Sequence, residues 1–190
     1  AGVNPGQVML TNGSDQGIDL VFRTFKAKND RVIVPAPSFA MFFQCASMVG
    51  NFDLSPLYSK SDLLYPIREV ISMIDETVKL IVVCNPNNPT GTLVSVENIE
   101  KIAKIAKGAI VLVDEAYYEF SKLSALSLIK KCSNVVVTRT FSKAFGLAGL
   151  RVGYVIANEI YIKEMLKVRG PYDVNSFAYC ATSAALDDLR

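Results

Sequence analysis

VKLIVVCNPNNPTG, residues 78–91, joins two incompatible backbone preferences in one stretch. Residues 78–84 form a nearly unbroken β-branched and apolar run, the composition of a strand covered on both faces. Residues 85–91 hold two prolines, a glycine and three asparagines, which stop a strand and fix a tight loop. The same change from apolar run to polar cluster recurs along the chain. RVIVP (31–35), AIVLVD (109–114), NVVVTR (134–139) and RVGYVIA (151–157) are further short strand patterns. Between two of them, Val96, Ile99, Ile102, Ala103 and Ala106 share one stripe of a helix predicted over 95–107, with Ser95 as N-cap and Gly108 as stop. Strands alternating with helices predict an α/β domain around a mostly parallel sheet. No repeat, low-complexity segment or linker interrupts the pattern, so residues 1–190 are expected to form a single domain.

Composition sets the remaining limits. Of 190 residues, 51% are hydrophobic and 20% charged, a balance that can build a core and lies far from disorder. Net charge is +2 and the lysines near 101–107 alternate with Glu97 and Glu100, so no basic stripe points to nucleic acid. Cys45, Cys84, Cys132 and Cys180 are far apart, and the chain has no histidine, which argues against a metal centre or a Cys–His pair. The thiols are expected to be reduced. The opening AGVNPGQVML is not a basic-then-apolar leader and no apolar run is long enough to span a bilayer, so a cytoplasmic protein without membrane contact is expected.

In open α/β sheets ligands bind beyond the carboxyl ends of the strands, and the chemically unusual clusters lie there: NPNNPTG after 78–84, DEAY after 109–113 and TFSKAFGLAGLR after 134–139. Each has a competing explanation. NPNNPTG alone could be only a rigid turn. An apolar strand ending in Asp-Glu also describes the magnesium-binding strand of a nucleoside triphosphatase, but the G-x-x-x-x-G-K-[ST] loop this requires is missing upstream. GLAGLRVG precedes a strand where a dinucleotide fingerprint follows one.

The ordered set is more specific than any one piece. TNGSDQGI (11–18), PAPSFAMF (35–42), NPNNPTG (85–91), VDEAYYEF (113–120), RTFSKAFGLAGLRVGY (139–154) and PYDVNS (171–176) occur in sequence from Asn12 to about Leu189. With them the chain resembles the fold-type I, pyridoxal-phosphate-dependent aminotransferases, and among these the branch that acts on histidinol phosphate. The resemblance implies a three-layer α/β/α fold, pyridoxal 5'-phosphate as cofactor, and an amino donor and a 2-oxo acid as substrates.

It also implies roles. Lys143 would form the Schiff base and later carry the proton between the substrate α-carbon and the cofactor, work that requires a neutral amine and hence a cationic, partly desolvated setting. Asp114 ends a buried strand, where an ionised carboxylate needs a cation, and would pair with the pyridinium nitrogen. Asn88 and Tyr117 would bond the phenolic oxygen, although Tyr118 is next door. Phe39 would stack on the ring in place of the commoner tyrosine or tryptophan. Ser14, Asp15 and Gln16 would offer backbone donors to the phosphate from a helix start, with the Asp15 carboxylate turned away and Gln16 replacing the usual glutamate. Arg151, Thr140 and Ser142 would complete that cradle.

Family members are about twice this length, so the resemblance makes the chain a central large-domain piece. The family's N-terminal segment, with its partner-reaching tyrosine, and its C-terminal small domain, with the carboxylate-binding arginine, would lie outside it. Poor or no turnover as this piece, and self-association or a homodimer, are expected. Threonine-phosphate decarboxylase and broad aromatic or sugar aminotransferases share the core, and a non-catalytic binding or assembly module is the alternative from another class.

Overall fold

The computed structural model describes residues 2–49 and 55–188, and among them six strands join into one sheet in the order β1-β6-β5-β4-β3-β2. The strands are β1 (Val8–Asn12), β2 (Arg31–Ile33), β3 (Val78–Cys84), β4 (Ile110–Asp114), β5 (Val135–Thr140) and β6 (Val152–Ile156). β2, β3, β4 and β5 pair in parallel, whereas β6 runs antiparallel to both β5 and β1. The mostly parallel α/β sheet is as expected, and five of the predicted strands are present. The sequence pattern did not give the direction of β6, and it missed β1, whose half-buried, alternating VMLTN lacks the continuous apolar run of a central strand.

Alternate side chains of the central strands feed two separate cores. Val78, Ile81, Val83, Val111, Val113, Val135 and Val137 face one side, and Leu80, Val82, Leu112, Val136 and Val155 the other. α3 (Ile67–Ser72) and α4 (Val96–Ile105) cover the first face. α1 (Gly13–Phe25), α2 (Ala40–Met48) and α6 (Glu159–Val168) cover the second, giving three layers. Short α5 (Tyr118–Ser121) follows β4, and α7 (Ser176–Asp187) packs on β6. In α4 Ser95 accepts from the Asn98 amide as predicted, but the helix ends at Ile105. Ala106 already leaves helical geometry to pack into the core, so Gly108 lies in the turn beyond rather than stopping the helix. The predicted end of the family resemblance at Leu189 lies outside the described residues.

The polar clusters follow the carboxyl ends of β2, β3, β4 and β5, and the reversed β6 brings Arg151, just before its first residue, to the same edge. β1 delivers the start of α1 there too, since Asn12 pairs with Val152. α1 can lie this close to the sheet only because position 153 has no side chain: a Cβ there would stand 2.5 Å from both the Gly13 carbonyl carbon and the Ser14 nitrogen. Both neighbours are backbone, so neither can swing aside. Gly153→Ala should therefore lower the unfolding free energy by about 1–3 kcal/mol, as overpacking does. A urea titration of the two proteins checks this, and an unchanged midpoint would contradict the contact.

Candidate active site

The ends of β3 and β4 build the floor of a pocket at this edge, backed by Thr138 of β5. Cys84, Asp114 and Thr138 stand in register on adjacent strands, and the Thr138 hydroxyl donates to Asp114 Oδ1 at 2.8 Å. Asp114 is 3% exposed. Burial pushes its carboxyl up to about 7, against the lowering effect of the Thr138 bond, and the charges of Asp15 and Glu115 push the same way. It is therefore an acid that a cationic donor in the pocket would ionise.

The loops above the floor are tied to one another. Asn87 donates to the Pro37 carbonyl at 3.0 Å and to Thr90 Oγ1 at 2.8 Å, and accepts from Ser38 at 2.8 Å. Asn85 bonds both the amide and the carbonyl of Val94. These bonds hold Phe39 and Asn88 at the pocket wall, with Phe39 edge-on to Phe42 at 5.8 Å between ring centres. Tyr117, assigned to the pocket by the resemblance, and its neighbour Tyr118 face different ways. Tyr117 lines the pocket with its ring centre 5.4 Å from Lys143 Nζ, while the Tyr118 ring lies 3.7 Å from the Arg139 guanidinium.

Opposite polarity gathers at the start of α1. Of the four amides that begin a helix without an internal partner, that of Asn12 is taken by Gln16 Oε1 and that of Gly13 by the Arg151 carbonyl, leaving those of Ser14 and Asp15 facing the pocket. Arg151 is in the left-handed region at φ 55°. Its Nη1 lies 3.5 Å from Ser142 Oγ, which also accepts from Thr140 Oγ1 at 2.9 Å. Amides, hydroxyls and a guanidinium on one wall make an anion-binding surface.

Ser14, Asp15, Phe39, Asn88, Asp114, Tyr117, Thr140, Ser142, Lys143 and Arg151 all line this one pocket. Gln16 does not. It sits where intrahelical bonding begins, and its side chain bonds the Asn12 amide at 2.7 Å and Asp173 at 2.6 Å. The amide suits that place, because a glutamate would repel Asp173. The Asp15 carboxylate does not turn away as expected: it accepts from Arg151 Nη2 at 2.8 Å and lines the pocket, because the guanidinium beside it offsets its charge. Lys143, expected to be partly desolvated, is exposed, because the turn after β5 carries it clear of the strand ends. Cys84, Ala116 and Ala148 also line the pocket, and the available signal was that Cys84 precedes NPNNPTG, Ala116 lies within DEAY and Ala148 lies within TFSKAFGLAGLR.

Residues 2–190 match the family model for aminotransferase class I and II, and the chain belongs to that family. It is 43% identical over 178 residues to the histidinol-phosphate aminotransferase of Thermoanaerobacter pseudethanolicus, covering 93% of this chain and 50% of that protein. It superposes with a TM-score of 0.85 on the crystal structure of the histidinol-phosphate aminotransferase from Clostridium acetobutylicum, at 28% identity over 96% of this chain and 55% of that one. The histidinol-phosphate aminotransferase of Sinorhizobium meliloti, solved in complex with pyridoxal-5'-phosphate, shares the fold at a TM-score of 0.89 and 23% identity, covering 98% and 52%. The chain spans about half the length of the curated relatives it matches. Among the described residues, no helix is long and apolar enough to cross a membrane.

The raised pKa of Asp114 has a measurable cost. Its folded-state value, about 7, lies above the ordinary 3.8, so the folded chain binds the extra proton and loses stability as pH rises from about 4 through 7. Asp114→Asn removes this loss and keeps an acceptor for Thr138. In ligand-free protein the variant should match the parent near pH 4 and exceed it by about 4 kcal/mol at pH 8. Denaturant unfolding at both pH values reads the difference, and a parent that gains on the variant with rising pH would reverse the assignment.

Proposed function

We propose that residues 1–190 form the pyridoxal-phosphate-binding domain of an aminotransferase that moves an amino group from histidinol phosphate to 2-oxoglutarate, with Lys143, Asp114 and Tyr117 as its catalytic residues. The observation that carries this reading is the convergence of an amine, a buried carboxyl and a guanidinium in one pocket. The donor set fits the cofactor. Ser14 and Asp15 amides, the Thr140 and Ser142 hydroxyls and Arg151 suit a phosphate, and Asp15 fixes one edge of the Arg151 fork. Asp114 suits a ring N–H, Asn88 and Tyr117 a phenolic oxygen, and Phe39 an aromatic face.

When bound there, pyridoxal phosphate supplies a carbonyl that takes up the amino group and a ring that spreads the charge left on the substrate α-carbon. Asp114 would hold the proton on the ring nitrogen, since a cationic N–H lowers the carboxyl pKa from the raised value burial gives it. Lys143 Nζ would hold the cofactor by its aldehyde and, once displaced by the amino donor, would serve as the base that takes the substrate α-proton and as the acid that returns it. Its exposed position leaves that amine room to be displaced. Tyr117 orients the cofactor through its hydroxyl.

The amino donor follows the relatives' printed name, and 2-oxoglutarate is proposed as acceptor because an amino-group transfer needs a 2-oxo acid. A homodimer is supported by the exposed aromatic rings of Tyr172, Phe177 and Tyr179, and a cytoplasmic setting by the unpaired thiols of four free cysteines.

Adding pyridoxal phosphate should produce a visible or near-ultraviolet band that borohydride abolishes, with the reduced adduct mapping to Lys143 by peptide mass. Lys143→Ala should lack both the band and the adduct. Histidinol phosphate should bleach the band faster than phosphothreonine or phenylalanine does. A label elsewhere in the chain would sink the site assignment, and faster bleaching by another donor would sink the substrate.

A further inference from the structure

On the face of the sheet opposite Asp114 lies a buried charge pair that the proposed chemistry does not use. Side chains alternate along strands, so Asp114 and Thr138 meet on the pocket side while Glu115 and Arg139 meet on the other. Glu115 has no exposed surface and Arg139 is 5% exposed. Arg139 donates to Glu115 Oε2 from Nε at 3.0 Å and from Nη2 at 2.8 Å. Burying such a pair is costly, and apolar residues of the same size often fold as stably, so the pair is poorly explained by stability alone.

Its remaining contacts suggest a use. Glu115 Oε1 accepts from the Ala125 amide at 2.6 Å, and Oε2 accepts from Ser124 Oγ at 2.9 Å. One carboxylate thus closes the base of the loop 115–125. Arg139 Nη2 donates to Ser124 Oγ at 2.8 Å, and its guanidinium lies 3.7 Å from the centre of the Tyr118 ring. Tyr117, the residue before Tyr118, lines the pocket on the other side. With the loop base closed and Tyr118 held against Arg139, the backbone at 117 has little freedom to turn its side chain elsewhere.

We infer that Glu115 and Arg139 are positioning residues that aim the Tyr117 hydroxyl into the pocket from behind the sheet, through the closed loop and the stacked Tyr118 ring. The inference rests on the assignment of the pocket to pyridoxal phosphate and gives Tyr117 its orientation there. Tyr118→Leu removes the stacked ring and Ser124→Ala removes one bond to each partner, and both leave Glu115 and Arg139 in contact, so both proteins should fold, as circular dichroism can verify.

The probe is pyridoxal phosphate added to the chain at one fixed pH, and the readout is the ratio of its visible to near-ultraviolet absorbance, which responds to hydrogen bonding at the phenolic oxygen. Each variant should change this ratio by roughly two-fold or more, and neither should change it further on a Tyr117→Phe background, as for coupled sites. Tyr118→Phe, which keeps the ring, should restore the parent ratio. If the ratio ignores both variants, or shifts equally with and without the Tyr117 hydroxyl, the positioning role is wrong while the pocket assignment stands. If the parent chain forms no borohydride-sensitive band, both ideas fall together.

Discussion

Where α1 begins, its backbone lies directly on the backbone of β6, and the Gly13 amide bonds the Arg151 carbonyl at 3.0 Å. Neither side of this contact tolerates a Cβ. At Gly13 one would stand 2.5 Å from Arg151 Nη2, and φ is +73°, a conformation that side-chain-bearing residues rarely adopt. The approach decides three features together: the depth of α1 over the sheet, the direction of the Ser14 and Asp15 amides, and the place of the Arg151 guanidinium. Buried Ile18, Val21 and Phe22 further along the helix then hold it against the sheet. Each contributes about 1.5–3 kcal/mol when removed from water.

The pocket has a simple electrostatic division. Positive groups and helix-start amides collect around Arg151, and the buried acid Asp114 lies on the floor, tied to Thr138. Such a division suits the phosphate and ring nitrogen of the proposed cofactor. Asp15 complicates it, because a carboxylate beside an anion-binding surface is unfavourable unless its charge is offset, and Arg151 provides that offset.

The fold was legible where strands are covered on both faces, because β3, β4 and β5 show burial in their composition directly. β1 was not legible, since an edge strand buries only alternate residues and VMLTN looks like many loops. The direction of β6 was hidden for a different reason: a strand's composition reports burial, not orientation. At the site, residue types in fixed order located ten lining positions, because chemistry requires particular groups. What the order could not supply was which way side chains turn. The turn of Tyr118 away from the pocket depended on Arg139, and placing Gln16 depended on Asp173, a residue far along the chain.

The strand order carries a consequence for how the molecule is made. Among the described residues β1 pairs only with β6, so Val8 must find Ile156 across nearly the whole chain, while β2 to β5 can assemble from neighbours. Closing so large a loop is entropically slow, and a chain emerging N-terminus first has β1 long before its partner. Half of the anion-binding wall therefore has no counterpart until Arg151 and β6 have been synthesised. The acid at the floor can be in place before the cradle that faces it exists.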